Sequence, residues 1–218
     1  DKQYKLAAEK ANAFLSEGNG SSKMKADYKT AYTNLNPEAN DFDTVMAGID
    51  KINHDRELAE LKESMLDEEA PQFTIKNLEG EAIALADLKG KTVILDFWAT
   101  WCGPCKASFP GMQEVVEKYK DNENVVLLFV DTFEDGNDRE KDVAKFIKDN
   151  NYDFHVLIDP KVKDSNDYEV AKKYGITGIP TKIIIGPSGK INFRAVGFSG
   201  NNDKLKQEMD LMIDLLKS

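Results

Sequence analysis

The sequence predicts an α/β fold, a central mixed sheet flanked by helices, preceded by an all-helical N-terminal extension. Three observations carry this. Up to about residue 68 apolar side chains recur at helical spacing, with no strand-like alternation. Beyond Pro71, short apolar runs alternate with helical stretches, the pattern of strands connected by helices. Two near-continuous apolar runs, 92–98 and 125–130, have the texture of buried central strands. Together they predict a mostly parallel centre, with a terminal hairpin adding antiparallel edge strands.

In the extension, Tyr4, Ala7, Ala8, Ala11, Phe14 and Leu15 form one helical stripe. Gly18, Asn19 and Gly20 end that helix, and Ser21 or Ser22 caps the next. Tyr28, Ala31, Tyr32 and Leu35 stripe the second helix, and Asn36-Pro37-Glu38 forms a turn suited to starting another. Phe42, Val45, Met46, Ile49, Ile52, Leu58, Leu61 and Met65 stripe the third. The acidic run Asp67-Glu68-Glu69 ahead of Ala70-Pro71 marks a boundary, dividing the chain into 1–68 and 69–218.

In the second part, residues 73–75 and 82–85 flank Glu79-Gly80 as a hairpin. The strand at 92–98 leads into a helix over 103–120, followed by the strand at 125–130. A helix at 138–149, a strand at 154–158 and a helix at 167–174 come next. Strands 181–185 and 191–196 flank the turn Gly186-Pro187-Ser188-Gly189, and a helix over 202–216 is striped by Leu205, Met209, Met212, Ile213 and Leu216.

The formal charge of −10 over 218 residues argues against nucleic acid or an anionic membrane as a partner, since both require a basic surface. No run reaches the roughly 18 apolar residues of a membrane span. The chain opens at Asp1 without an initiator methionine, the expectation for a processed or trimmed protein whose signal peptide or anchor would lie upstream.

Its two cysteines lie three positions apart in Asp96-Phe97-Trp98-Ala99-Thr100-Trp101-Cys102-Gly103-Pro104-Cys105-Lys106. Cys102 falls where a buried strand turns into a helix. Free N–H groups and the helix dipole favour an anion there and lower a thiol's pKa. Cys102 is therefore the expected nucleophile, and Cys105, one turn further in, the resolving partner. Gly103 permits the tight turn and Pro104 fits the first helical turn. Two bland alternatives exist. A zinc site needs two further ligands, and the chain offers only His54 and His155, far apart. A purely structural bridge gains nothing from a position that activates thiols.

Asp96 is a carboxyl inside an apolar strand, so burial should raise its pKa and allow proton exchange with Cys105, directly or through a water. The alternative is an Asp turned to a polar edge. In Ile179-Pro180-Thr181 a proline just ahead of a buried strand is a candidate for a cis bond; an ordinary loop proline is the other reading.

From Ala70 onward these segments resemble the thioredoxin superfamily, and within it the TlpA/ResA-like branch, with a domain of the AhpC/TSA-redoxin type. Ala70-Pro71-Gln72-Phe73-Thr74, Leu85-Ala86-Asp87-Leu88-Lys89-Gly90-Lys91, the Trp-Cys-Gly-Pro-Cys motif and Pro110 carry the resemblance. It implies a thioredoxin-like fold with an insertion around 132–174. It also implies a substrate groove lined by Trp101, Gly103, Pro104, Ile179, Pro180 and Gly197, with Gly178 to Thr181 as the cis-proline loop. Asp96 matches the buried acid of thioredoxins. Those proteins place a lysine beside that acid on the next core strand, but residues 125–130 contain none, so the acid's pKa is not carried over. Residues 1–68 resemble nothing named, and packing appendage and partner-docking module are both open.

The resulting expectation is a thiol–disulfide oxidoreductase that needs no cofactor and reduces protein disulfides, the Gly-Pro pair resembling the reducing members. A thiol peroxidase would need a Thr- and Arg-supported pocket, and a copper-delivery protein a wider cysteine spacing with a downstream His; neither set is present. By resemblance alone the site of action is extracytoplasmic, in the periplasm or cell envelope, with or without a lipid anchor. The same resemblance implies a membrane thiol reductase as electron donor and cytochrome c biogenesis as one family task.

Overall fold

The computed structural model describes every residue except Asp1, Asn19, Ser21, Asn137 and Ser218, and the side chain of Ser22. The caps expected at Ser21 or Ser22 thus lie outside the described residues, as does Asn19. The chain divides into two compact units, 1–64 and 65–218.

The first unit is three helices, α1 (Lys2–Ser16), α2 (Ser22–Leu35) and α3 (Phe42–Glu63). Its core is Ala11, Leu15, Tyr28, Met46 and Ile49, with Tyr28, Tyr32 and Phe42 meeting ring against ring at 5.4–6.0 Å. The stripes are only partly covered: Tyr4, Phe14 and Ile52 are exposed. Helical spacing fixes which face is apolar, whereas burial depends on what packs against it.

The second unit is built on one eight-stranded sheet of order β1-β8-β7-β4-β5-β6-β2-β3. The strands are β1 (Glu68–Glu69), β2 (Thr74–Asn77), β3 (Ala82–Ala84), β4 (Thr92–Trp98), β5 (Val125–Asp131), β6 (Val156–Ile158), β7 (Thr181–Ile185) and β8 (Lys190–Val196). Among the described residues only β4–β5 and β5–β6 pair in parallel. The expected edge hairpin β7–β8 lies inside the sheet instead, β7 pairing antiparallel with central β4 and β8 covered by β1. The β1 pairing had no signal in two exposed glutamates. Leu85 leaves the β2–β3 hairpin for a 3-10 turn, Leu85–Leu88.

Alternation along the strands sorts the core into two faces. Val93, Leu95 and Phe97 of β4 pack with Leu128, Val130, Ile183 and Ile185, and with Val170 and Tyr174 around α6 (Glu169–Lys173). Ile94, Asp96 and Trp98 point the other way. There Trp98 meets Phe109 of α4 (Gly103–Tyr119) and Phe146 of α5 (Arg139–Asp149) at 5.0 and 5.6 Å. Helix α7 (Asn202–Leu215) lies against α4: Gly111 N–H donates to Asn202 Oδ1 at 3.2 Å, an approach that a Cβ at Gly111 would block at 2.6 Å from the same oxygen.

Candidate active site

Strand β4 ends at Trp98, and the Cys102 N–H donates to the Ala99 carbonyl at 3.1 Å, turning the chain into α4. Cys102 is the N-cap of that helix. Its carbonyl accepts the first helical bond, from Lys106, and its Sγ accepts the otherwise unpaired N–H of Cys105 at 3.2 Å. Gly103 and Pro104 fill the first two helical positions, where a missing proline N–H costs nothing. The two cysteines are joined by a disulfide with their Cα atoms 5.3 Å apart. Both are buried, Cys102 at 3% exposure and Cys105 at 0%.

Asp96 is buried, with Lys182 directly across the β4–β7 ladder. The Lys182 Nζ lies 3.2 Å from Asp96 Oδ2, off the angle of a formed hydrogen bond, and both side chains are sealed from solvent. Burial raises the Asp96 carboxyl above the ordinary range, and the Lys182 charge pulls it part of the way back. The thioredoxin resemblance implies a lysine on the next core strand, where residues 125–130 have none; the lysine beside Asp96 comes from β7 instead. The available signal was symmetrical: Asp96 and Lys182 are each the single charge in an otherwise uncharged buried strand.

The loop after β5 holds the other side of this turn through contacts that no local pattern in the sequence signals. Glu134 Oε2 accepts from the Thr100 N–H at 2.8 Å and Oε1 from its hydroxyl at 2.6 Å. The Trp101 indole N–H donates to the Phe133 carbonyl at 2.9 Å, with Phe133 in the left-handed region at φ 56°. Behind this loop Arg139 Nε donates to buried Asp131 at 2.6 Å, and Arg139 Nη1 to the Asp159 carbonyl. Burial pushes Asp131 up to about 7 against the pull of Arg139, with Glu134 adding to the rise. No sequence spacing announces contacts made across 34 residues.

Among the residues expected to line a groove, the Ile179–Pro180 bond is cis, and the Gly197 N–H donates to the Pro180 carbonyl at 2.8 Å, Gly197 having φ 84°. Those two are therefore brought together. Ile179 is half-buried against the α6-side core, whereas Trp101 stands 59% exposed on the loop between β4 and α4, tied to the loop after β5.

Residues 66–194 match the AhpC/TSA family over more than half of the chain. The chain belongs to the AhpC/TSA family. The thiol–disulfide oxidoreductase ResA of a Bacillus cereus strain is 34% identical over 139 residues, covering 64% of this chain and 74% of that one. The thioredoxin-like protein YneN of Bacillus subtilis (strain 168) is 34% identical over 148 residues, covering 68% and 78%. The thioredoxin domain of a thiol–disulfide oxidoreductase from Bacteroides vulgatus superposes with a TM-score of 0.54 at 28% identity, covering 67% and 96%. The fold is thioredoxin-like, and with its bridged cysteine pair this family member is a thiol–disulfide oxidoreductase.

Proposed function

We propose that the chain works in the reducing direction, on disulfide-bearing proteins outside the cytoplasmic membrane, with Cys102 as nucleophile and Cys105 as resolving thiol. The observation that carries this is the Cys102 sulfur seated as a helix N-cap, accepting the Cys105 N–H. Charge on that sulfur is favoured by the same N–H and by the helix dipole.

In the dithiol form the Cys102 thiolate attacks one sulfur of the substrate bond. A mixed disulfide forms, and the departing substrate thiolate takes a proton. Asp96 accepts the Cys105 proton, directly or through a water, as Cys105 attacks Cys102 Sγ. That step forms the Cys102–Cys105 bridge and expels the second substrate sulfur as a thiolate, which takes up the proton that Asp96 accepted. Two electrons and two protons pass to the substrate, and a dithiol donor must then restore the enzyme. By family resemblance that donor is a membrane thiol reductase. Trp101, Gly103, Pro104, Ile179, Pro180 and Gly197 are the proposed substrate wall; exposed Trp101, adjacent in sequence to Cys102, supports it.

In this reading 69–218 is the catalytic domain, 132–174 its insertion, and 1–68 a helical extension. The setting is the periplasm or cell envelope, cytochrome c maturation is one task in scope, and a lipid anchor would lie upstream of Asp1. Among the described residues no helix is long and apolar enough to cross a membrane. The test is turbidimetric insulin reduction by the dithiol enzyme, with Cys105→Ser as a trap. Acceleration, with covalent adducts held by Cys105→Ser and none by Cys102→Ser, is expected. No acceleration over buffer would overturn the reading.

A further inference from the structure

Two residues of the loop after β5 fix the chain beside Cys102: the Phe133 carbonyl accepts the Trp101 indole N–H at 2.9 Å, and the Glu134 carboxylate holds Thr100. Neither residue belongs to a strand or helix that would fix it in turn. Phe133 also lies in the left-handed region at φ 56°, which a bulky side chain adopts when its surroundings impose it. Tyr168 supplies those surroundings. The Phe133 and Tyr168 rings meet edge to face, their centroids 5.7 Å apart and their planes at 89°. The Tyr168 hydroxyl donates to the Glu134 carbonyl. One side chain therefore steadies both residues that hold Thr100 and Trp101.

Tyr168 is itself firmly seated. It is 3% exposed and bridges to Lys161 in an antiparallel pair. It directly precedes α6, whose Val170 and Ala171 N–H groups donate to the Asp159 carboxylate at 2.7 and 2.9 Å. The Arg139 guanidinium lies over its ring at 5.1 Å and the Lys161 Nζ at 5.8 Å. Arg139 is in turn bonded to the Asp131 carboxylate and the Asp159 carbonyl. The ring thus joins the segment after β6 to the loop after β5.

We propose that Tyr168 is a positioning residue for protein substrates, holding Phe133 so that the exposed Trp101 indole is presented in one orientation beside Cys102. This rests on the reading of the chain as a protein-disulfide reductase with Trp101 in its substrate wall, and deepens it by naming what orients that wall. An aromatic anchor that is already ordered loses little rotamer freedom on binding, so the benefit falls on association. A small aryl disulfide, which needs little beyond the Cys102 sulfur, gains nothing from it.

Steady-state reduction of insulin and of dithiobis-nitrobenzoate by the full chain, with dithiothreitol as electron source, separates recognition from thiol chemistry. Tyr168→Leu should raise KM for insulin about five- to tenfold, up to the loss expected for Trp101→Ala. Tyr168→Phe keeps the ring contact and loses the hydroxyl, and should raise it about threefold. The kcat for insulin and the rate with dithiobis-nitrobenzoate should stay within about twofold of wild type, because the Glu134 carboxylate keeps its bonds to Thr100 in both variants. In a Trp101→Ala background neither substitution should raise KM further, the indole they orient being gone.

An unchanged KM for insulin, equal losses on the two disulfides, or a further rise in the Trp101→Ala background overturns the proposal. If Tyr168→Leu fails to fold, Tyr168→Phe decides by the same three criteria. Wild-type protein that reduces dithiobis-nitrobenzoate but leaves insulin intact would instead remove the protein-disulfide reading itself, a separate failure.

Discussion

Glu134 holds Thr100 by two hydrogen bonds at once, from the backbone N–H at 2.8 Å and from the hydroxyl at 2.6 Å. Thr100 lies two residues before Cys102, so a carboxylate on the loop after β5 fixes the approach to the helix start. Replacing Glu134 by Ala leaves a half-buried N–H and hydroxyl without their acceptor, at a cost of about 1–3 kcal/mol. Urea unfolding should register that loss. Activity toward a disulfide peptide should fall about tenfold, with the Glu134→Gln variant falling between.

Asp131 makes the stability of the fold pH-dependent in a definite sense. Its carboxyl is raised from 3.8 to about 7, chiefly by burial, so the folded state binds this proton more tightly than the unfolded chain. The resulting stability is fully present below about pH 4 and is lost as pH rises through 7, on the order of 4 kcal/mol at most. Urea midpoints measured from pH 4 to 8 should fall less steeply for Asp131→Asn than for wild type. The slope is the readout, since the variant also alters the contact with Arg139.

Trp101 is exposed, and its ring is oriented by the indole N–H bond to the Phe133 carbonyl. Large aromatic groups so placed are common anchors for a protein partner. Trp101→Ala should raise KM for a protein disulfide about tenfold, equivalent to roughly 1.4 kcal/mol. Reaction with a small aryl disulfide should change little. Equal losses on both substrates would mean that Trp101 serves the thiol chemistry and not recognition.

Local signals revealed the strand-to-helix junction. An apolar run over Thr92–Trp98 and the Cys-Gly-Pro-Cys segment each carry their conformation in adjacent residues. Strand order is a tertiary property, and it decided the rest. Lys182 sits beside Asp96 because β7 enters the sheet next to β4, which no feature of residues 181–185 states by itself. Glu134 reaches Thr100 from a loop without periodicity. Tyr4 and Phe14 show the converse, an apolar stripe legible in sequence but left exposed.

Catalysis depends on the acidity of the Cys102 thiol, which rates of iodoacetamide alkylation against pH, measured on reduced Cys105→Ser protein, report without a substrate. The N-cap position predicts a midpoint for Cys102 well below the roughly 8.5 of an unperturbed cysteine. A midpoint at or above that value would contradict the account.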